Sequence, residues 1–141
     1  MSQKNVMLVD DSSMMRLIIR NLLTTDPNLS VSSSVENGKK ALDELGTIQP
    51  DLILLDLEMP EMDGIEFLRL ARSMTKAKIV VLTSVAPAGS KKAAQALSLG
   101  ADAIISKPSG AVSFDLKQAR GYELFHVIYE KLGMGTPKIP V

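Results

Sequence analysis

The chain contains no cysteine and no tryptophan, and its other aromatic residues are only two tyrosines and three phenylalanines. Without cysteine there can be no disulfide, no thiol catalysis and no cysteine-ligated metal, which suits a reducing, cytoplasmic compartment. The scarcity of aromatic rings argues against an aromatic-lined cofactor pocket and against a platform on which nucleic-acid bases would stack.

An excess of charge of either sign is also missing, because 16 basic side chains balance 16 acidic ones. This balance argues against a nucleic-acid footprint and against a polybasic membrane surface. No apolar run approaches the roughly 20 residues of a membrane span, and the polar start Met1–Asn5 predicts no signal peptide. The 141 residues, 45% of them apolar, instead predict one globular domain with a sizeable core.

Five short segments have the pattern of strands, and a stretch with helical periodicity follows each of them. The segments are Val6–Val9, Leu29–Val35, Leu52–Leu55, Ile79–Leu82 and Ala103–Ile105. Their alternation with helices through short connections predicts an α/β fold in which helices cover both faces of a parallel sheet.

Local signals predict where several helices begin and end. Ser12 or Ser13 is expected to cap the first helix, which Pro27 should end. Asn37-Gly38 predicts a turn before the second helix. The third helix is expected to cover Gly64 to Met74.

The stretch that ends at Gly64 combines a fully apolar segment with acidic and turn-forming residues. Asp56 directly follows Leu52–Leu55, and a carboxylate at the carboxyl end of a buried parallel strand points into the crevice where open α/β sheets bind ligands. Pro60 should stop the strand, and Gly64 should allow a sharp turn. When this stretch is taken alone, a loop-capping role for Asp56 is the simpler alternative.

Polar residues close three further strands, namely Asp10-Asp11, Thr83 and Lys107. Because the carboxyl ends of parallel strands lie along one edge of the sheet, these side chains and Asp56 are expected to converge in one crevice. Carboxylates at close range resist joint ionisation unless a cation joins them, and a hard ion such as Mg²⁺ prefers oxygen ligands. The aspartates therefore predict a Mg²⁺ site.

The same crevice suits a phosphoryl group. Lys107 can bind one phosphoryl oxygen as a point charge, and Thr83 can donate a hydroxyl hydrogen bond to another. Asp56 would then be the nucleophile that takes up the group as an acyl phosphate. A main-chain carbonyl near Glu58 would add a further oxygen ligand for the metal.

These residues resemble the receiver domains of two-component response regulators, and the resemblance covers residues 5–132. The matching motifs are Val9-Asp10-Asp11-Ser12, Asp56-Leu57-Glu58-Met59-Pro60, Met62-Asp63-Gly64, Thr83-Ser84, Gly100-Ala101 and Lys107-Pro108. The resemblance implies a flavodoxin-like (βα)5 three-layer sandwich whose five parallel strands have the order 2-1-3-4-5. It assigns residues 1–132 to the receiver domain and 133–141 to a C-terminal tail or the start of an interdomain linker.

The resemblance also implies a histidine kinase as phosphodonor and Mg²⁺ as cofactor. The implied site residues are the phosphoacceptor Asp56, the metal-binding residues Asp10, Asp11, Asp56 and Glu58 through its carbonyl, and the phosphate-binding and switch residues Thr83, Ser84 and Lys107. The Lys107–Pro108 bond is a candidate for a cis peptide.

Within the family, the receivers of chemotaxis protein-glutamate methylesterases are more similar still. This closer resemblance is carried by Asp56–Pro60, Lys107–Gly110 and Ser113–Leu116. In those proteins an esterase domain with a Ser-His-Asp triad follows, whereas this chain has a single histidine, His126, and cannot carry the esterase. The chain is therefore expected to be either a regulatory domain excised from such a protein or a stand-alone receiver.

Ile104 departs from the family pattern, since many receivers have Tyr or Phe three residues before the lysine of the fifth strand. Its β-branched side chain is stiff at χ1 and has no polar tip. Ile104 is therefore expected to act as a packing wedge in the switch, while displacement of the loop Val85–Ser90 and of the start of the fourth helix carries the signal.

Two other functions compete with a signalling switch. A metal-dependent aspartyl phosphatase could use Asp56 and Glu58 as an acidic nucleophile motif, but such enzymes usually need a cap domain, for which this chain has no room. A flavin carrier on the same fold would need a Ser/Thr-rich phosphate loop after the first strand and flanking aromatic residues, and both are missing. The sequence thus favours a phosphoacceptor domain whose output is binding.

Overall fold

The computed structural model describes residues 3–57, 64–83, 91–106 and 121–135, and within these ranges five strands alternate with five helices. The strands are β1 (Lys4–Val9), β2 (Leu29–Val35), β3 (Leu52–Asp56), β4 (Lys78–Thr83) and β5 (Ala103–Ser106). The helices are α1 (Ser13–Leu23), α2 (Gly38–Leu45), α3 (Gly64–Ala71), α4 (Lys91–Ser98) and α5 (Gly121–Leu132). In these ranges no helix has the length and apolar character that a membrane crossing requires.

The five strands form one parallel sheet in the order β2-β1-β3-β4-β5, which confirms the predicted fold. In the register of the sheet, Val9 pairs with Leu55 and Asp56 pairs with Leu82. From β1 the chain continues to β2 at one edge of the sheet, whereas from β3 it continues to β4 and then to β5 at the other edge. The carboxyl ends of these two strands therefore flank the switch point at which such sheets bind ligands.

Alternate residues of the strands contribute to two hydrophobic cores on opposite faces of the sheet. On one face Met7, Ile53 and Val81 contact α2, α3 and α4, and Phe67 is fully buried there. On the other face strand residues such as Leu8 contact α1 and α5. All five residues of β3 are buried because this strand lies in the middle of the sheet with helices on both sides.

Helices α1 and α2 begin at side-chain caps. Ser12 caps α1, since its Oγ accepts a hydrogen bond of 3.1 Å from the N–H of Met15. Asn37 caps α2 in the same way, with 2.8 Å between its Oδ1 and the N–H of Lys40. The Ser12 cap was predicted, and the turn expected at Asn37-Gly38 lies directly before α2, where Asn37 is the cap and Gly38 is the first helical residue.

Two helices end earlier than their sequence patterns predict. Helix α1 ends at Leu23 and not at Pro27, because the N–H groups of Thr25 and Asp26 donate to the carbonyls three residues earlier, at 3.2 and 3.0 Å, and so form turns in place of further α-helical bonds. Helix α3 ends at Ala71, so the predicted extension to Met74 is wrong. The Met74 side chain is 45% exposed and does not belong to the buried face of the helix.

Glycines in the left-handed conformation cap the ends of α4 and α5. Gly100 has a φ of 112°, and the N–H of Ala101 donates to the carbonyl of Ala96 at 3.0 Å. Gly133 has a φ of 67°, and the N–H of Met134 reaches the carbonyl of Tyr129 at 2.9 Å. Both arrangements are Schellman motifs, in which glycine avoids the strain of a side chain at positive φ.

Candidate functional site

Three aspartates meet at the carboxyl edge of the sheet. Asp10 directly follows β1, Asp11 comes next in the chain, and Asp56 is the last residue of β3. One carboxylate oxygen from each residue lies within 4.8 Å of the other two. Asp10 and Asp56 are only 3% and 1% exposed, whereas Asp11 lies at the exposed rim. The predicted convergence of these three side chains is thus present in the structure.

Hydrogen bonds of both its main chain and its side chain fix the position of Asp10. Its N–H donates to the carbonyl of Val35 at 3.1 Å, which ties the end of β1 to the end of β2. Its Oδ1 accepts a hydrogen bond of 2.9 Å from the N–H of Ser12, and its carbonyl accepts one of 2.8 Å from Nη1 of Arg16. The turn that leads from β1 into α1 therefore fixes the first carboxylate of the cluster.

Asp56 is positioned by the close approach of α3 to the end of β3. The N–H of Gly64 donates to the carbonyl of Leu57 at 3.0 Å. A Cβ at Gly64 would lie 2.7 Å from the carbonyl oxygen of Asp56 and 2.7 Å from the Cα of Leu57. Gly64 was expected to allow a sharp turn, and residues 58–63 before it lie outside the described part of the chain. Glycine is needed at this position because two backbone segments approach each other too closely for a Cβ.

The donor set of this cluster fits a hard divalent cation. All three groups are carboxylates, two of them buried, and their negative charges disfavour one another unless a cation is shared between them. Mg²⁺ takes oxygen ligands, whereas zinc sites usually include imidazole or thiolate. Among the residues that the structure describes, no other group of three acidic or histidine side chains converges in this way.

The remaining predicted site residues are placed only in part. Thr83 is the last residue of β4 and pairs with Ser106 at the end of β5, so both backbones reach the edge that carries the aspartates. The side chain of Thr83 lies outside the described part, as do Glu58, Ser84, Lys107 and Pro108. Their roles, and the cis peptide at Lys107–Pro108, remain predictions.

Ile104 lies in β5, where it pairs with Val81 of β4. It is half-buried and packs against the core on the side of α2, α3 and α4. The loop 85–90, which was expected to move with it, is outside the described residues. The position of Ile104 is therefore known, whereas its role as a wedge stays a prediction.

Arg16 and the close contact at Gly64 are two features of the site that the sequence did not reveal. The one available signal for Arg16 was its position four residues after the predicted cap Ser12, on a helix that starts at the site. His126, expected on a helix surface, is exposed on α5.

Comparison with known proteins defines the class. The family model described as "response regulator receiver domain" matches residues 6–130. The chain therefore belongs to the response regulator receiver domain family, as its motifs predicted.

The relatives within this family include proteins named protein-glutamate methylesterase/protein-glutamine glutaminase. The chain is 42% identical over 119 residues to a protein-glutamate methylesterase/protein-glutamine glutaminase of Halalkalibacterium halodurans, covering 84% of this chain and 34% of that protein. A protein of the same name from Treponema denticola is 44% identical over 117 residues, covering 82% of this chain and 32% of that protein. The chain thus spans about a third of the length of these relatives.

Solved structures of related proteins also match this chain. The crystal structure of the response regulator domain of Thermotoga maritima CheB matches with a TM-score of 0.85 and 29% identity, covering 93% of this chain and 97% of that one. A chain in the crystal structure of the P1 domain of CheA3 in complex with CheY6 from R. sphaeroides is 50% identical, with a TM-score of 0.70. That match covers 88% of this chain and 97% of that one.

Proposed function

We propose that this receiver domain is a Mg²⁺-dependent phosphoacceptor of a chemotaxis-type two-component system, and that Asp56 takes the phosphoryl group from a histidine kinase. The observation that carries the proposal is the convergence of three carboxylate oxygens within 4.8 Å at the switch point of the sheet. Membership of the receiver family supports the same chemistry.

The burial and contacts of the three aspartates favour Asp56 as the nucleophile. The carboxylate of Asp10 is fixed in the turn into α1, where its Oδ1 accepts the N–H of Ser12 at 2.9 Å, and Asp11 is exposed at the rim. Asp56 is 1% exposed at the end of the central strand, where burial limits the access of water to an acyl phosphate. Asp10 and Asp11 are then the residues that hold the metal beside it.

The transfer itself is a displacement at phosphorus. A carboxylate oxygen of Asp56 forms a bond to phosphorus, and the phosphorus–nitrogen bond of the donor phosphohistidine breaks, leaving its electron pair on the imidazole. Mg²⁺ bound by the aspartates would neutralise negative charge on the phosphoryl oxygens. Lys107 and the hydroxyls of Thr83 and Ser84 are proposed to bind the remaining phosphoryl oxygens.

The relatives support a proposal for the output. Those at 42% and 44% identity are methylesterases of which the match covers only 34% and 32%, which favours control of a linked C-terminal esterase domain. A stand-alone receiver is the second candidate, and it is favoured by the 50% identity to a chain of the CheA3–CheY6 complex. The coding sequence beyond Val141 distinguishes them, and residues 1–141 alone should not hydrolyse methylated receptor glutamates.

The test is phosphorylation by acetyl phosphate, followed by intact-protein mass spectrometry. With Mg²⁺ the parent should gain one phosphoryl group, and it should gain none in EDTA. Asp56→Asn should remain unlabelled, while the control Asp43→Asn, on the exposed side of α2, should label like the parent. Undiminished labelling of Asp56→Asn would refute the proposal, and repeated turnover of added phosphate esters would indicate a phosphatase instead.

A further inference from the structure

The side chain of Arg16 reaches from the first turn of α1 to the strand end that carries the acidic cluster. Its Nη1 donates a hydrogen bond of 2.8 Å to the main-chain carbonyl of Asp10. We propose that Arg16 is a positioning residue for the metal site, which holds the Asp10–Asp11 peptide so that the Asp11 carboxylate faces the other two. The inference rests on the proposed function, because it gives Arg16 a part in Mg²⁺ binding at that site.

The planarity of the peptide bond explains how a contact to Asp10 can direct Asp11. A group that fixes the carbonyl oxygen of Asp10 also fixes the plane that contains the N–H and the Cα of Asp11. Burial holds the carboxylates of Asp10 and Asp56, but Asp11 is exposed and lacks that restraint. The direction of its side chain therefore depends on the peptide that Arg16 holds.

Arg16 is itself fixed by the helix start. Its N–H donates to the carbonyl of Ser12 at 3.0 Å, within the first hydrogen-bonded turn of α1, and its side chain is half-buried. The pKa of Glu36, which follows β2, lies below its usual value mainly because Lys40 hydrogen-bonds to and attracts its carboxylate, and Arg16 adds a smaller attraction. The hydrogen bond from Nη1 to the Asp10 carbonyl places the guanidinium at the end of β1.

Removal of Arg16 has two opposite effects on a cation site, so the sign of the change is informative. A guanidinium repels Mg²⁺, and the loss of its charge alone would tighten Mg²⁺ binding. Loss of a group that orients a metal ligand instead weakens binding, commonly by roughly 10–100-fold. Because the hydrogen bond acts directly on the peptide before Asp11, we expect Arg16→Ala to bind Mg²⁺ about tenfold more weakly than the parent.

The first measurement is a Mg²⁺ titration of the whole chain, followed by NMR shifts of the main-chain amides, with the melting temperature of each variant recorded. Arg16→Lys keeps the positive charge but loses the planar guanidinium group, so this variant should also bind Mg²⁺ more weakly than the parent. Arg20→Ala is the matched control, because Arg20 is exposed one turn further along α1. Its affinity should stay within about twofold of the parent's. Binding by Arg16→Ala as tight as or tighter than the parent's would overturn the inference.

The second measurement is amide hydrogen exchange of the ion-free protein. Arg16→Ala should speed exchange at Asp10, whose N–H donates to Val35, and at Ser12, whose N–H donates to Asp10. Unchanged exchange at both amides, or faster exchange with unchanged Mg²⁺ affinity, would overturn the positioning role while the proposed function stands. A parent protein that binds no Mg²⁺ would instead refute the proposed function, and this inference with it.

Discussion

Replacement of Gly64 by alanine should disturb the site indirectly, by displacing the backbone of Asp56 and Leu57. The new Cβ would lie 2.7 Å from both the Asp56 carbonyl oxygen and the Leu57 Cα, well inside the 3.4–4 Å of ordinary van der Waals contact. Both neighbours are backbone atoms of buried residues, so neither can rotate away. Overpacking of this kind typically costs about 1–3 kcal/mol, and we expect Gly64→Ala to lower the free energy of unfolding by that amount.

The matched control is Gly46, at the end of α2. A Cβ there would meet only the carbonyl oxygen of Asp43, at 3.5 Å, and the φ of −69° is open to alanine. Gly46→Ala should raise the free energy of unfolding by about 0.4–1 kcal/mol, because it restricts the unfolded chain. Urea denaturation measures both variants, and acetyl phosphate labelling should slow at least about tenfold in Gly64→Ala alone. Equal stability and equal labelling of the two variants would refute the close-approach argument.

Three further predictions concern contacts outside the cluster of Asp10, Asp11 and Asp56. Tyr129→Phe removes the hydroxyl that donates to the buried Asp26 and should cost about 1–2 kcal/mol in urea denaturation. Because burial and the Asp26 contact raise the pKa of Tyr129 above 10.0, the parent should lose stability as the pH rises past that value, and this loss should be absent in Tyr129→Phe. Arg72→Ala removes hydrogen bonds to three main-chain carbonyls and should cost about 2–3 kcal/mol, whereas loss of the exposed Arg69 should change stability by less than about 0.5 kcal/mol. Ile104→Ala should weaken the effect that beryllofluoride, a mimic of the phosphoryl group, has on partner binding, while leaving phosphorylation of Asp56 nearly intact. An undiminished effect of beryllofluoride on partner binding in this variant would contradict the wedge role.

The strands were predictable because their sequence pattern follows from burial on both faces of the sheet. Leu52–Leu55 is apolar throughout, as a central strand between two helix layers must be. The observed strand is one residue longer than this segment and ends at Asp56. Helix ends were less predictable. Pro27 and Met74 suggested later helix ends than the structure has. Main-chain turns that span three residues, from Thr25 to Leu22 and from Met74 to Ala71, follow α1 and α3 instead.

The acidic cluster was predictable for a different reason. Parallel strands place their carboxyl ends on one edge, so the positions of Asp10, Asp11 and Asp56 at strand ends are sufficient to bring them together. The hydrogen bond from Arg16 and the contact at Gly64 depend on distances between elements, to within a few tenths of an ångström. Residue type and spacing do not determine such distances, so these two features required the structure.

The most direct test of the central claim locates the phosphoryl group on the chain. Borohydride reduces an acyl phosphate of aspartate to homoserine, which peptide mass spectrometry identifies at a single position. After acetyl phosphate treatment with Mg²⁺, the account predicts homoserine at position 56 and at neither Asp10 nor Asp11, and none when EDTA is present. Homoserine at another aspartate, or equal labelling at position 56 with and without Mg²⁺, would contradict the assignment of Asp56 as a Mg²⁺-dependent phosphoacceptor.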